Sequence, residues 1–145
     1  MSRVSTWSLD EWEGKANADE RLVTYQLHIT LRQAKRIRVG RLAEFLFPAG
    51  DYLYTGSARR NLPARVHRHL SRQKKLRWHI DYLLMASSAQ ITAVGLFSET
   101  ECCCNQRTNG KILLAGFGAS DCRAQCGSHL KYLGGTLGMP VAIGI

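Results

Sequence analysis

The chain has 145 residues, 45% of them hydrophobic and 21% charged, which suits one domain with one core and excludes a globally disordered polypeptide. No apolar run approaches the roughly 18 residues of a membrane helix, and the first 20 residues lack an apolar leader core. The reading is a soluble, cytoplasmic protein with no membrane partner. Its 20 Lys and Arg outnumber 11 Asp and Glu to give a net charge of +9, a balance that favours a polyanionic partner.

Residues 1–20 mix Trp7 and Trp12 with many charges and show no clear period, so they read as an N-terminal extension to a domain over 21–133. Arg21 to Thr30 alternates, with Val23, Tyr25, Leu27 and Ile29 on one side, and predicts a half-buried strand. Arg32 to Arg36 is a polar turn. Ile37 to Pro48 predicts a hairpin around Gly40, its second strand running from Ala43 to Phe47. Tyr52 to Gly56 is the next strand, after a turn at Pro48 to Asp51. Asn61 can cap a helix that accepts Pro63 in its first turn. Leu62, Val66 and Leu70 form its core stripe, while Arg65, His69 and Arg72 form a second stripe.

Trp78 to Ala86 predicts a second helix and Gln90 to Phe97 a strand. Ser98 can cap a third helix starting at Glu99, with Glu101 as capping-box partner and an end near Asn109-Gly110. Lys111 to Ala115 reads as a final strand before the loop GFGASDCRAQCGSHL. Residues 134–145 form a glycine-rich, apolar C-terminal tail. Alternating strand and helix signals predict an α/β class, a small sandwich with a mixed β-sheet flanked by about three helices.

The segment from Ser57 to His79 holds eight Lys or Arg and no acid: Arg59, Arg60, Arg65, Arg68, Arg72, Lys74, Lys75 and Arg77. Such clustering suits a nucleic-acid backbone. Arg65 and His69 stand one helical turn apart, where Arg can hold a phosphate through paired hydrogen bonds and His can exchange a proton near neutral pH. The same spacing also describes a solvated basic face. Tyr25 and Tyr54 lie on two strands that can pair; a tyrosine hydroxyl can orient water, and either residue can equally be a core aromatic. Glu101 could hold Mg²⁺ beside a phosphate or simply complement a helix dipole.

Of the five cysteines, Cys102, Cys103 and Cys104 are adjacent. An odd count with this spacing is not a disulfide framework, and reduced thiols are expected. Cys122-x3-Cys126-x2-His129 offers three corners of a zinc site, with Cys102 or a neighbour as a fourth. Free thiols in a loop are the alternative.

Read together, these residues resemble the GIY-YIG endonuclease superfamily, in particular its small stand-alone branch long catalogued as a domain of unknown function. The resemblance covers about residues 22–133. It rests on Thr24-Tyr25, on IRVGRLAEFLFPAGDYLYTGSA, on Arg65 with Arg68-His69, on WHIDYLL, and on FGASDC followed by SHL. Tyr25 matches the tyrosine of the first element, where Val23 replaces a glycine. Tyr54-Thr55-Gly56 matches the second with threonine for isoleucine.

The resemblance implies metal-dependent hydrolysis of a phosphodiester bond, in DNA more than RNA, in repair or processing. It implies catalytic roles for Tyr25, Tyr54, Arg65 and His69 and one Mg²⁺ or Mn²⁺ ion on Glu101, with Glu99 two residues away as the competing carboxylate. The other basic residues of the segment would track the strand. A nucleic-acid-binding module that kept the scaffold without the chemistry is the rival reading.

Overall fold

The computed structural model describes residues 4–8, 21–58, 60–119, 122 and 126–135. Arg59, most of the predicted extension and residues 136–145 of the predicted tail lie outside them. The described elements are β1 (Val4–Ser8), β2 (Thr24–Leu31), β3 (Lys35–Val39), β4 (Ala43–Phe47), β5 (Gly50–Ser57), α1 (Leu62–Leu70), α2 (His79–Leu84), β6 (Ala89–Phe97), α3 (Glu101–Gln106) and β7 (Leu130–Gly134).

Alternation builds the centre. Tyr25, Leu27, Ile29 and Leu31 of β2 are buried on one face, and β5 places Gly56, Tyr54, Tyr52 and Gly50 directly opposite them. With period two, these side chains form one apolar surface. It meets Val66 of α1, Ile80 and Leu83 of α2, and Phe117, all fully buried in the same core. Helix α3 lies against the other face. The Thr24 hydroxyl donates to the Glu99 carbonyl (2.6 Å), and the Gln26 amide donates to the Thr108 hydroxyl (2.7 Å). Those two residues alternate with the core-facing ones.

The α/β class with three helices is as expected, but the described strand pairs are all antiparallel rather than mixed. The main sheet has the order β1-β6-β2-β5-β7, and β3 with β4 forms a separate hairpin. Strands β5 and β6 are joined through α1 and α2 and run the same way, as a crossover demands. Because β2 sits between them, neither has a parallel neighbour. Strand β1 falls in the segment read as an extension, yet it pairs with β6 along the sheet edge, from Val4 opposite Phe97 to Ser8 opposite Ala93.

Helix α1 starts where Asn61 predicts. Asn61 adopts a left-handed conformation and its side chain accepts from the Ala64 N–H (3.3 Å). Helix α3 starts two residues later than predicted. Thr24 holds the Glu99 carbonyl, so Thr100, not Ser98, accepts from the first turn, at Cys103 N–H (3.3 Å). It also ends earlier, at Gln106. The Lys131 ammonium, itself buried, donates to the carbonyls of Asn105 (2.9 Å) and Thr108 (3.0 Å) and closes the helix there.

The strand expected over Lys111 to Ala115 is reduced to one bridge between Lys111 and Tyr132. Leu113 and Leu114 pack against the core from a loop, and an apolar run of that length has the same periodicity either way. The edge position belongs to β7, whose Tyr132 ring lies 4.9 Å from that of Tyr52.

Gly56 is required where it stands. A Cβ there would occupy the space of the Tyr25 ring and hydroxyl, which lie directly over its Cα. Gly56→Ala should therefore lower stability by about 1–3 kcal/mol through overpacking, read as a shift of the urea midpoint.

Candidate functional site

At one end of β2 and β5 the chain leaves an open cleft of about 800 Å³. Tyr25 and Tyr54 form its floor, Arg65 and Trp78 one wall, and Glu101 with His129 another; His79, Arg77 and Gly118 also line it. Four of the five residues predicted to carry chemistry, Tyr25, Tyr54, Arg65 and Glu101, thus meet in one place. The fifth, His69, sits behind them. Its Nε2 shares a hydrogen bond of 2.6 Å with the Tyr25 hydroxyl, and its Nδ1 is buried without a hydrogen-bond partner.

Electrostatics follow from this burial. Removal from water raises the Tyr25 and Tyr54 phenols well above the usual tyrosine range, the negative charges of Glu101 and Asp81 add to it, and Arg65 opposes it only in part, so both stay protonated. Burial, then the positive charge of Lys74, Arg68 and Arg65, holds His69 down at about 3, against a smaller opposing effect of Asp81. His69 is therefore neutral at physiological pH.

Arg65 donates to the Ser57 carbonyl (3.1 Å) and lies with its guanidinium carbon 4.8 Å from the centre of the Trp78 ring. Stacking and one backbone bond fix its direction while leaving further N–H groups for a ligand. The Glu101 carboxylate accepts from the Ser57 hydroxyl (2.6 Å) and from His129 Nδ1 in a short ion pair. Burial alone would raise its pKa, but those two bonds outweigh burial and keep it ionised. Glu99 does not line the cleft; it is held by Arg107 through a bidentate ion pair.

The predicted basic tract divides by role. Arg68 makes a two-pronged bond to Asp81 (2.9 Å each), a carboxylate with no solvent exposure, and its guanidinium lies 4.2 Å over Trp78. Arg72 donates to the carbonyls of Leu84 (2.9 Å) and Ala89 (2.8 Å), and Lys74 to those of His69 (2.7 Å) and Arg68 (3.2 Å). These three tie α1 to the segments around it. Arg65 and Arg77 face the cleft, whereas Arg60 and Lys75 are on the surface.

In the Trp78-His79-Ile80-Asp81 stretch, one polar residue starts a helix and the other borders the site. Asp81 accepts from the backbone N–H groups of Arg77 and Trp78 (2.9 Å each) and opens α2. His79 accepts from Gly118 N–H at Nδ1 (2.9 Å) and borders the cleft. Ser57 gave no signal beyond its place after Gly56. Asn105, buried and donating to the Ser128 carbonyl (2.9 Å), was hidden in a polar stretch.

The cysteines separate by helix geometry. Successive residues on α3 point about 100° apart. Cys102 therefore turns toward the cleft, Cys103 is exposed, and Cys104 is fully buried. Cys102, Cys122, Cys126 and His129 form a Cys3His cluster whose ligand atoms all lie within 4.8 Å of one another. This set could hold a zinc-like metal, and its soft sulfur donors are not those of a magnesium site. Burial opposes a charge on His129, but the hydrogen bond and charge of Glu101, with the nearby Cys122 and Cys126, outweigh it and raise the imidazole to about 9.

Two measurements test these assignments. Arg68→Ala leaves Asp81 buried and unpaired and should cost roughly 3–5 kcal/mol in urea unfolding, as expected for a structural ion pair. For His69, the unfolded residue takes up a proton near pH 6.5 while the folded one resists until about 3. The stability it contributes is complete above 6.5 and is lost as pH falls toward 3. His69→Gln should flatten the stability profile across that window relative to wild type.

The family described as "Domain of unknown function DUF123" matches residues 24–139. No curated protein and no solved structure shows a significant match to the chain. The matched stretch runs from the first residue of β2 past the end of β7 and so takes in every residue of the cleft and of the thiol cluster. The chain belongs to the DUF123 domain family.

Proposed function

We propose that this protein is a divalent-metal-dependent endonuclease of the GIY-YIG type, acting on DNA. The observation that carries the reading is the convergence of Tyr25, Tyr54, Arg65 and Glu101 in one open cleft, although 76 positions separate Tyr25 from Glu101. Gly56 beneath the Tyr25 ring supports it, because the glycine of the second element then has a steric reason. Net charge of +9 supports a polyanionic substrate.

The donor set fits a weakly held Mg²⁺ or Mn²⁺. Glu101 is the one acidic side chain among the described residues lining the cleft, and each of its oxygens accepts one bond and keeps a lone pair. When bound there, such an ion supplies Lewis-acid polarisation of a phosphate oxygen.

The chain's own groups do the rest. Arg65, aimed by Trp78 and Ser57, neutralises charge that grows on the phosphate oxygens, a preorganised contact that strengthens toward the transition state. Tyr25 and Tyr54 are protonated, so neither is a ready-made phenolate base. When the Tyr25 hydroxyl donates a hydrogen bond to neutral His69, its oxygen lone pairs are left to accept a hydrogen bond from the attacking water and orient it. His69 is a positioning residue here, since it reaches the cleft only through Tyr25.

The test is cleavage of labelled single-stranded and branched DNA with Mg²⁺ or Mn²⁺. Arg65→Ala and Glu101→Ala should each slow turnover by roughly 100-fold or more, with DNA binding little changed. Salt-dependent binding by wild type with no cleavage in either metal would leave a binding module and end the nuclease reading.

A further inference from the structure

The thiol cluster and the cleft share a wall. Cys102, Cys122 and His129 border the cleft and are also three of the four residues of the Cys3His cluster. His129 is almost fully buried, and its two ring nitrogens have different surroundings. Nδ1 donates to the Glu101 carboxylate, while Nε2 is buried with no hydrogen-bond partner. A buried ring nitrogen rarely goes without a partner unless something absent from the protein atoms completes it.

Geometry says what completes it. Tetrahedral zinc with bonds of ~2.3 Å to sulfur and ~2.0 Å to nitrogen spaces its ligand atoms at roughly 3.5–4 Å. The Cys102 and Cys122 sulfurs already lie 3.5 Å apart, and no pair in the cluster exceeds 4.8 Å. Three sulfurs and an imidazole select a soft or borderline cation, and four protein ligands leave no open coordination position. A metal ion at Nε2 displaces the proton from that nitrogen and leaves Nδ1–H on the carboxylate, an arrangement that fixes the tautomer and the ring direction.

We propose that Cys102, Cys122, Cys126 and His129 bind one zinc ion in a closed structural site, with Glu101 as the carboxylate that orients His129. The ion joins α3 through Cys102 to the segment after Phe117 through Cys122 and Cys126, and to the residue just before β7 through His129. It thereby braces one wall of the cleft. Glu101 faces both ways: one oxygen meets the zinc ligand and the other meets Ser57 of β5. The zinc site stands without any assumption about DNA cleavage.

Cys103 is the internal control, because it is adjacent to Cys102 yet exposed and outside the cluster. The experiment uses the full chain, purified without chelator, and measures zinc by elemental mass spectrometry. One zinc per chain is expected. Replacement by Co²⁺ should give the intense visible bands of tetrahedral cobalt and a sulfur-to-cobalt charge-transfer band. Cys103→Ser should retain full zinc content, and Cys122→Ser should weaken zinc binding by 100-fold or more in a chelator competition. Glu101→Gln should weaken it by about 10–100-fold with the tetrahedral cobalt spectrum intact.

Substoichiometric zinc together with no tetrahedral cobalt spectrum in wild type overturns the site, whether or not the variants fold. Equal loss in Cys103→Ser and Cys122→Ser overturns the ligand assignment. Unchanged affinity in Glu101→Gln overturns the role given to Glu101. No arm contains DNA, so a failure here and a failure to cleave DNA are distinguishable.

Discussion

The Glu101 carboxylate is the contact on which the site depends. It accepts from Ser57 at the end of β5 and from His129 just before β7, and it stands at the first residue of α3. Three segments distant in sequence are therefore held by one side chain. A partly buried carboxylate is costly to keep charged unless its oxygens are occupied, and here both are. Its bonds also leave it facing the cleft, where the proposed hydrolysis needs a hard oxygen donor. The neighbouring Glu99 has a stronger local claim from Arg107 and is turned away.

Behind the cleft floor, a second arrangement keeps the aromatic groups neutral. Tyr25, Tyr54 and His69 are packed with ring centres 5.3 to 6.4 Å apart. Withdrawal from water raises both phenols and lowers the imidazole, so no charge is buried with them. Charge enters the region through Arg65 and Glu101 at the cleft surface. The floor is thus neutral and aromatic, while the ionic groups Arg65 and Glu101 stand at the cleft surface.

The basic tract shows how one composition can serve two purposes. Arg68, Arg72 and Lys74 are ties within the fold, because a carboxylate or backbone carbonyls lie within their reach, although Arg72 remains exposed. Arg60, Lys75 and Arg77 keep their charge at the surface. Arginine forks suit both uses, since the donors that match a phosphate also match a carboxylate or paired carbonyls. A charge count therefore overstates the number of cations available to a polyanion.

From the residues alone, the class, the strands β2, β4, β5 and β6 and the cap at Asn61 could be read, because period-two alternation and capping are local properties of the chain. So could the resemblance that named Tyr25, Tyr54, Arg65, His69 and Glu101. Only the tertiary structure decided what those residues touch. Asn61 had a cap signal without a competitor, whereas Ser98 and Thr100 both had one, and Thr24 on a strand 75 positions away selected between them. The early end of α3 was set by Lys131, and the edge of the sheet was filled by β7 in place of Lys111 to Ala115. Cys102 could be told from Cys103 and Cys104 only once α3 was docked, since adjacent helical residues differ in direction and not in type. Propensity acts over a few residues, while the selection of partners depends on which distant segment arrives; that is why the elements were legible and the bonds between them were not.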